Sequence, residues 1–123
     1  MKYAAGQRWN YRTREQDVGS KVTILRVETL PELGEVVFIS VDGLRVVDEG
    51  APGGIRSEIG FTYLLASALD ESVTSRDGDV TVPEHQELYE GWRRAVERAG
   101  AEVFREPVAR IVERLQAMLH STS

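Results

Sequence analysis

The sequence contains no cysteine, only two histidines and no long run of apolar residues. The absence of cysteine excludes disulfides, thiolate metal sites and thiol nucleophiles. No segment has the apolar length that crosses a bilayer, and residues 1–6 lack the pattern of a secretory signal. We therefore expect a cytoplasmic protein without membrane association. The net charge of −5 argues against binding to nucleic acid, whose backbone attracts basic proteins.

The chain does contain the pattern of a single α+β domain over residues 1–123. Runs of β-branched and aromatic residues predict strands at Arg8–Arg14, Val22–Val27, Glu35–Val41 and Leu44–Val47, with an edge strand at Glu102–Arg105. Turn residues predict breaks at Asp17–Ser20, Leu30–Gly34, Asp42–Gly43, Asp48–Gly54 and Arg76–Asp79. The run Glu35–Val41 is apolar on nearly both faces, which is typical of a central strand covered on each side.

Helical periodicity follows the strands. The Ala- and Leu-rich run Phe61–Leu69 predicts a short helix, and Glu84–Ala99 predicts a longer one with Pro83 at its first position. Pro107 opens a last helix, with apolar residues forming a continuous stripe from Val108 to Leu119. Strands before helices predict an antiparallel sheet of about four to five strands, a short middle helix and two C-terminal amphipathic helices packed on one face.

The glycine-rich segment Gly50–Ser57 resembles a phosphate-binding loop, because it follows a strand and ends in a basic residue and a hydroxyl. The phosphate loop requires glycine where Ile55 stands and lysine where Arg56 stands. The segment therefore predicts an exposed loop that can contact a partner rather than a nucleotide site.

No complete metal or catalytic pattern is present. His85 has Tyr89 rather than a second histidine four residues later, and His120 lies near the end of the last helix. Ser40, Asp42 and His85 could form a triad only in a fold that the sequence does not specify, and Ser40 lacks the flanking glycines of a nucleophile elbow. We predict no catalytic residue, no metal and no cofactor.

The remaining candidates are charged residues on predicted loops and helix surfaces. We expect binding residues at Asp48, Glu49, Arg56, Glu84, Glu87 and Glu90. An acidic domain of this kind is predicted to be a non-enzymatic protein-binding or inhibitory domain, of the class that includes immunity proteins against bacterial toxins, with a basic protein as its partner. The alternative is a small enzyme or ligand-binding domain with a pocket between the sheet and the helix that carries Tyr89 and Trp92.

Several segments in combination resemble a family of small bacterial proteins of uncharacterised function, over residues 6–112. These segments are Gly6–Arg14 (GQRWNYRTR), Ile39–Leu44 (ISVDGL), Ala51–Gly54 (APGG), Ala68–Val73 (ALDESV) and Tyr89–Trp92 (YEGW). The resemblance implies no particular activity. Members of this family often carry histidine where this chain has Phe38 and Phe61, so we expect both positions to lie near the core rather than in a metal site.

Overall fold

The structure is a computed structural model that describes residues 2–100 and 103–121. Over these residues the strands are β1 (Gln7–Tyr11), β2 (Lys21–Leu30), β3 (Gly34–Asp42), β4 (Val46–Val47), β5 (Ile55–Arg56), β6 (Ile59–Leu65) and β7 (Val73–Asp79). The helices are α1 (Ala66–Asp70), α2 (Gln86–Ala99) and α3 (Val108–Ser121). Five strands form one antiparallel sheet in the order β6-β3-β2-β1-β7, and β4 and β5 form a separate hairpin. The predicted α+β class is confirmed.

The hairpin of β2 and β3 is the centre of the sheet. It is paired from Lys21 opposite Asp42 to Leu30 opposite Gly34. The pairing register shifts between Ile24 and Arg26. Ile24 and Leu25 lie in different cores because successive side chains of a strand point to opposite faces. The bulge leaves Leu25 without an opposite residue on β3.

Side chains of β3 alternate between two cores. Val37, Ile39 and Val41 pack with α1 and α3 on what we term the first face of the sheet. Val36 and Phe38 pack with α2 on the second face. Since both faces of the central strand are apolar, each face requires its own cover.

The two C-terminal helices therefore differ from the prediction that both pack on one face. Trp92 of α2 belongs to the second-face core, whereas Val108, Ile111 and Val112 of α3 belong to the first-face core. The helices lie on opposite faces of the sheet.

The middle of the chain also departs from its predicted structure. The run Phe61–Leu69 is not one helix, because Ile59–Leu65 forms strand β6 against β3 and only Ala66–Asp70 is helical. The predicted turn at Arg76–Asp79 lies within β7, which pairs with β1. In both segments, pairing with a neighbouring strand decides the conformation over local propensity.

Several boundaries differ by a few residues. β1 ends at Tyr11 rather than Arg14, and α2 begins at Gln86, three residues after Pro83. Pro107 immediately precedes α3, as predicted. No helix in the described ranges is long and apolar enough to cross a membrane.

A short segment beside β6 corresponds to the predicted edge strand at Glu102–Arg105. Glu102 lies outside the described residues. Phe104 forms a parallel bridge with Leu64, through hydrogen bonds from Leu65 N to Phe104 O (3.0 Å) and from Phe104 N to Tyr63 O (3.2 Å). This bridge lies on the outer side of β6, opposite β3.

Candidate functional site

The six residues predicted to bind a partner fall into two groups. Asp48, Glu49 and Arg56 lie on or next to the β4–β5 hairpin. This hairpin is fastened to α3, since Val47 N donates to Gln116 Oε1 (2.8 Å) and Gln116 Nε2 donates to Val47 O (2.9 Å).

The other three residues lie at α2, on the opposite side of the sheet, with Glu84 before the helix and Glu87 and Glu90 within it. Glu84, Glu87 and Glu90 are exposed at the start and along the outer surface of α2. Because α2 and α3 cover opposite faces, the structure does not assemble the five predicted carboxylates into one acidic surface.

Three of these carboxylates bond to their own segments. Asp48 Oδ1 accepts a hydrogen bond from Gly50 N (3.0 Å) in the hairpin turn. Glu84 Oε1 accepts from Gln86 N (2.7 Å) at the start of α2, and Glu90 Oε1 accepts from the side chain of Gln86 (3.2 Å). Such contacts satisfy turn and helix-start amides, which otherwise lack partners.

An open cleft of about 440 Å³ lies between the outer edge of β6 and α3. Most of its lining is apolar, and two arginines add charge. The residues that matter most for its chemistry are Ile59, Phe61, Leu115, Met118, Arg56 and Arg114. Of the six predicted residues, Arg56 is the one that lines this cleft.

The cleft exists because the apolar stripe of α3 extends past the core that it covers. Val108, Ile111 and Val112 are buried, whereas Leu115 is half-buried and Met118 is 60% exposed. The sequence predicted a continuous apolar stripe on this helix. Leu115 and Leu119 still pack against the first-face core, and Ile111, Leu115 and Met118 border the cleft.

The other wall of the cleft is an edge strand. β6 is paired with β3 along one side, and within the described part of the chain its other side carries the single bridge to Phe104. An edge strand presents backbone groups to which another segment can pair. The opposite edge, β7, carries Arg76, Asp77 and Asp79 instead of apolar residues, a composition that discourages pairing.

The charged residues in the lining of the cleft are Arg56 and Arg114. Arg114 donates from Nε to Glu106 Oε1 (2.7 Å), with its second nitrogen 2.5 Å from the same oxygen. The hydrogen bond from Arg114 lowers the pKa of Glu106, and the same contact raises the pKa of Arg114. Arg56 donates from Nε to Glu58 O (3.2 Å) and pairs with no carboxylate among the residues that the structure describes.

The alternative prediction places a pocket between the sheet and α2. At Trp92 this space is occupied by the indole ring. The Trp92 ring is 6% exposed and lies 4.8 Å from the Phe38 ring, edge to face, with Tyr63 at 5.7 Å. Tyr89 bonds to Glu28 through its hydroxyl, and the guanidinium of Arg26 lies over its ring at 3.6 Å. Desolvation, together with the Glu28 contact, raises the pKa of Tyr89.

Phe38 and Phe61 stack at 5.6 Å in this second-face cluster. The expectation that both positions lie near the core is confirmed. His85 stacks on Phe61 at 6.3 Å, and its Nδ1 lies 2.9 Å from Pro83 O. Over residues 2–100 and 103–121, no three His, Cys, Asp or Glu residues lie close enough together to hold a metal ion.

The triad considered from the sequence is not assembled by hydrogen bonds. Asp42 accepts from Arg8, whose two terminal nitrogens lie 2.8 Å and 3.1 Å from its oxygens. The His85 Nδ1 contact is to a backbone carbonyl instead. Asp42 of β3 therefore forms an ion pair with Arg8 of β1.

The sequence does not identify the apolar residues of the cleft. A helix predicted over Phe61–Leu69 conceals that Phe61 lies on an edge strand. The apolar stripe predicted from Val108 to Leu119 does not distinguish the exposed Met118 from the buried members.

Searches against protein-family models, curated proteins and solved structures found no match to this chain. The resemblance to a family of small bacterial proteins stays a prediction.

Proposed function

We propose that this protein is a non-enzymatic protein-binding domain, and that the cleft between β6 and α3 receives a segment of the partner. The observation that supports this proposal is the contiguous apolar surface of the cleft, where Met118, Leu115 and Phe61 line one open depression. Contiguous exposed apolar surface marks interaction sites in soluble domains, because covering it removes that area from water.

Two exposed apolar residues, Val18 and Leu88, lie outside the lining of the cleft. Val18 is 81% exposed in the connection between β1 and β2, and Leu88 is 54% exposed on α2. Apolar side chains that are exposed singly are ordinary on protein surfaces. They provide matched controls for the cleft.

An inhibitory role of the immunity-protein class is one form of this activity, since such a domain acts by occupying a surface of its partner. The basic partner expected from the sequence would bind at Glu84, Glu87 and Glu90 on α2. The positive charge of Arg56 and Arg114 favours the cleft for a different partner surface, one that is apolar and acidic.

The test is capture of partners from a native extract, followed by identification and a titration with the purified partner. We expect Met118→Glu to weaken binding by about tenfold or more, because a carboxylate replaces an apolar contact inside the cleft. Val18→Glu, which introduces the same charge far from the cleft, should bind as the wild type does. Equal binding by both variants would refute the proposal. Loss of binding in Glu87→Gln/Glu90→Gln alone would move the interaction to α2.

A second candidate function is binding of a small molecule in the same cleft. Its volume of about 440 Å³ is within the usual range for ligand sites, and the two arginines supply the few polar groups that such sites contain. Native mass spectrometry of the purified protein tests this candidate. A bound anionic compound that is absent from Met118→Glu would support it, and ligand-free wild type with a protein partner would exclude it.

A further inference from the structure

We infer that the segment entering the cleft carries a carboxylate beside an apolar side chain, and that Arg56 holds this carboxylate with help from Arg114. The inference rests on the proposed function and specifies the chemistry of the partner. The occupant is the C-terminal end of a partner peptide in an extended conformation, with its terminal carboxylate in the cleft.

Arg56 supplies the main argument. Its guanidinium lines the cleft and is exposed, and its described hydrogen bond uses Nε alone. The two terminal nitrogens present the fork that matches a carboxylate in two parallel hydrogen bonds. A cation at the rim of an apolar depression selects an occupant with a negative group next to an apolar one.

Arg114 shows that this rim already binds a carboxylate. Glu106 is held by two nitrogens of Arg114, and this contact fixes the side chain of Arg114 against the cleft. Glu106 compensates the charge of Arg114, so Arg114 is a positioning residue and Arg56 supplies the charge that is not compensated within the described residues. Both arginines border Ile59 and Leu115, so a single short peptide can contact charge and apolar surface together.

The extended conformation follows from the neighbouring strand. β6 forms the edge of the sheet, and the bridge between Leu64 and Phe104 is parallel and lies on its outer side. A peptide that continues along this edge past Phe61 would lie in the cleft. Addition of an extended segment to a sheet edge is a recurrent mode of peptide recognition, with side-chain pockets providing specificity.

The experiment uses two small probes that differ only in charge. N-acetyl-leucyl-phenylalanine has a free carboxylate, and its C-terminal amide is the neutral match. Titrations of the full-length protein are followed by the NMR signal of the Met118 methyl group. We expect the acid to bind about fivefold more tightly than the amide, since hydrogen bonds to a charged group are the stronger ones.

Arg56→Gln should abolish this preference and leave binding of the amide unchanged. Arg76→Gln, at the opposite edge of the sheet, is the matched control and should retain the preference. Equal binding of acid and amide by the wild type, or no shift of the Met118 signal with either probe, would overturn the inference.

The proposed function is judged separately. If the captured partner binds the wild type but loses no affinity with Arg56→Gln/Arg114→Gln, the carboxylate inference is wrong and the protein-binding function stands. If Met118→Glu and Val18→Glu bind that partner equally, the function fails whatever the probes show.

Discussion

Asp17 is the most completely buried acidic side chain among the described ion pairs, with 0% of its side chain exposed. Its Oδ2 lies 2.5 Å from Arg14 Nε, and its Oδ1 accepts from Arg45 N (2.8 Å). The pair therefore joins the connection after β1 to the connection after β3. The sequence does not reveal this pair, because it predicts a strand that ends at Arg14 and a turn that begins at Asp17.

Neutralising this carboxylate should be costly. We expect Asp17→Asn to lower the free energy of unfolding by about 3 kcal/mol or more, because the buried Arg14 charge loses its partner. Asp79, which pairs with Arg76 at 68% exposure, provides the control, and Asp79→Asn should cost less than about 1 kcal/mol. Urea denaturation of both variants measures the difference. Similar losses in the two variants would contradict a buried role for Asp17.

Tyr11 predicts a pH dependence. Burial, with smaller contributions from Asp17 and Asp42, raises its pKa to about 12, although the Ser20 hydrogen bond and Arg14 act in the opposite direction. Below the usual tyrosine pKa of about 10, the folded and unfolded states are both protonated and the contribution of Tyr11 is intact. As the pH rises from there through the folded-state pKa, the unfolded state ionises first and stability is lost.

We therefore expect the free energy of unfolding to fall between about pH 10 and the folded-state pKa, and to fall less steeply in Tyr11→Phe. Burial and the Asp70 contact also raise the pKa of Tyr3, so part of the fall should persist in that variant. Urea denaturation at a series of alkaline pH values gives the slopes. Identical slopes in the wild type and the variant would show that Tyr11 ionises alike in both states.

At the scale of elements, α2 is held to the sheet mainly through Trp92. Its ring contacts Phe38 and Tyr63. We expect Trp92→Ala to cost about 3–5 kcal/mol, because truncation leaves a cavity between helix and sheet. Leu88→Ala on the exposed side of the same helix should change stability by less than about 1 kcal/mol. Thermal and urea unfolding measure the stability of both variants. If Trp92→Ala lowers the free energy of unfolding as little as Leu88→Ala does, the Trp92 ring does not hold α2 to the sheet.

The helices and strands differ in how well their secondary structure can be predicted from their own residues. Glu35–Val41 was correctly predicted as a strand covered on both sides, since its apolar pattern is local. The run Phe61–Leu69 was assigned to a helix because alanine and leucine favour one, yet pairing with β3 makes its first part a strand. β7 has no apolar alternation at all, and its conformation comes from its pairing with β1.

The placement of α2 and α3 on opposite faces can be predicted from the sequence. A central strand that is apolar on both faces requires cover on both, so placing the two C-terminal helices on one face conflicted with the prediction for β3. The cleft cannot be predicted from the sequence. The cleft joins residues 56–62, residue 104 and residues 111–118, and only the tertiary structure brings these segments together.

For the whole molecule, the sheet separates Glu84, Glu87 and Glu90, beside α2, from the two arginines of the cleft. Glu87 and Glu90 are three residues apart on a helix, so their repulsion slightly opposes the favourable interaction of Glu87 with the helix dipole.

We expect Glu87→Gln/Glu90→Gln to change the free energy of unfolding by no more than about 0.5 kcal/mol. Binding of the carboxylate probe in the cleft should be unchanged, because distant sites without shared partners act independently. Calorimetry and the Met118 NMR titration test both statements. A loss of probe affinity in this variant would show that the two surfaces are coupled.

The assignment of α3 to the first face has a consequence for synthesis of the chain. The strands that carry Val37, Ile39 and Val41 leave the ribosome long before residues 108–121, which cover them. During that interval a finished sheet would still present bare apolar side chains to chaperones and to neighbouring nascent chains. The first-face core is therefore covered only after α3 has been translated. A ribosome stalled before Pro107 would hold an aggregation-prone intermediate.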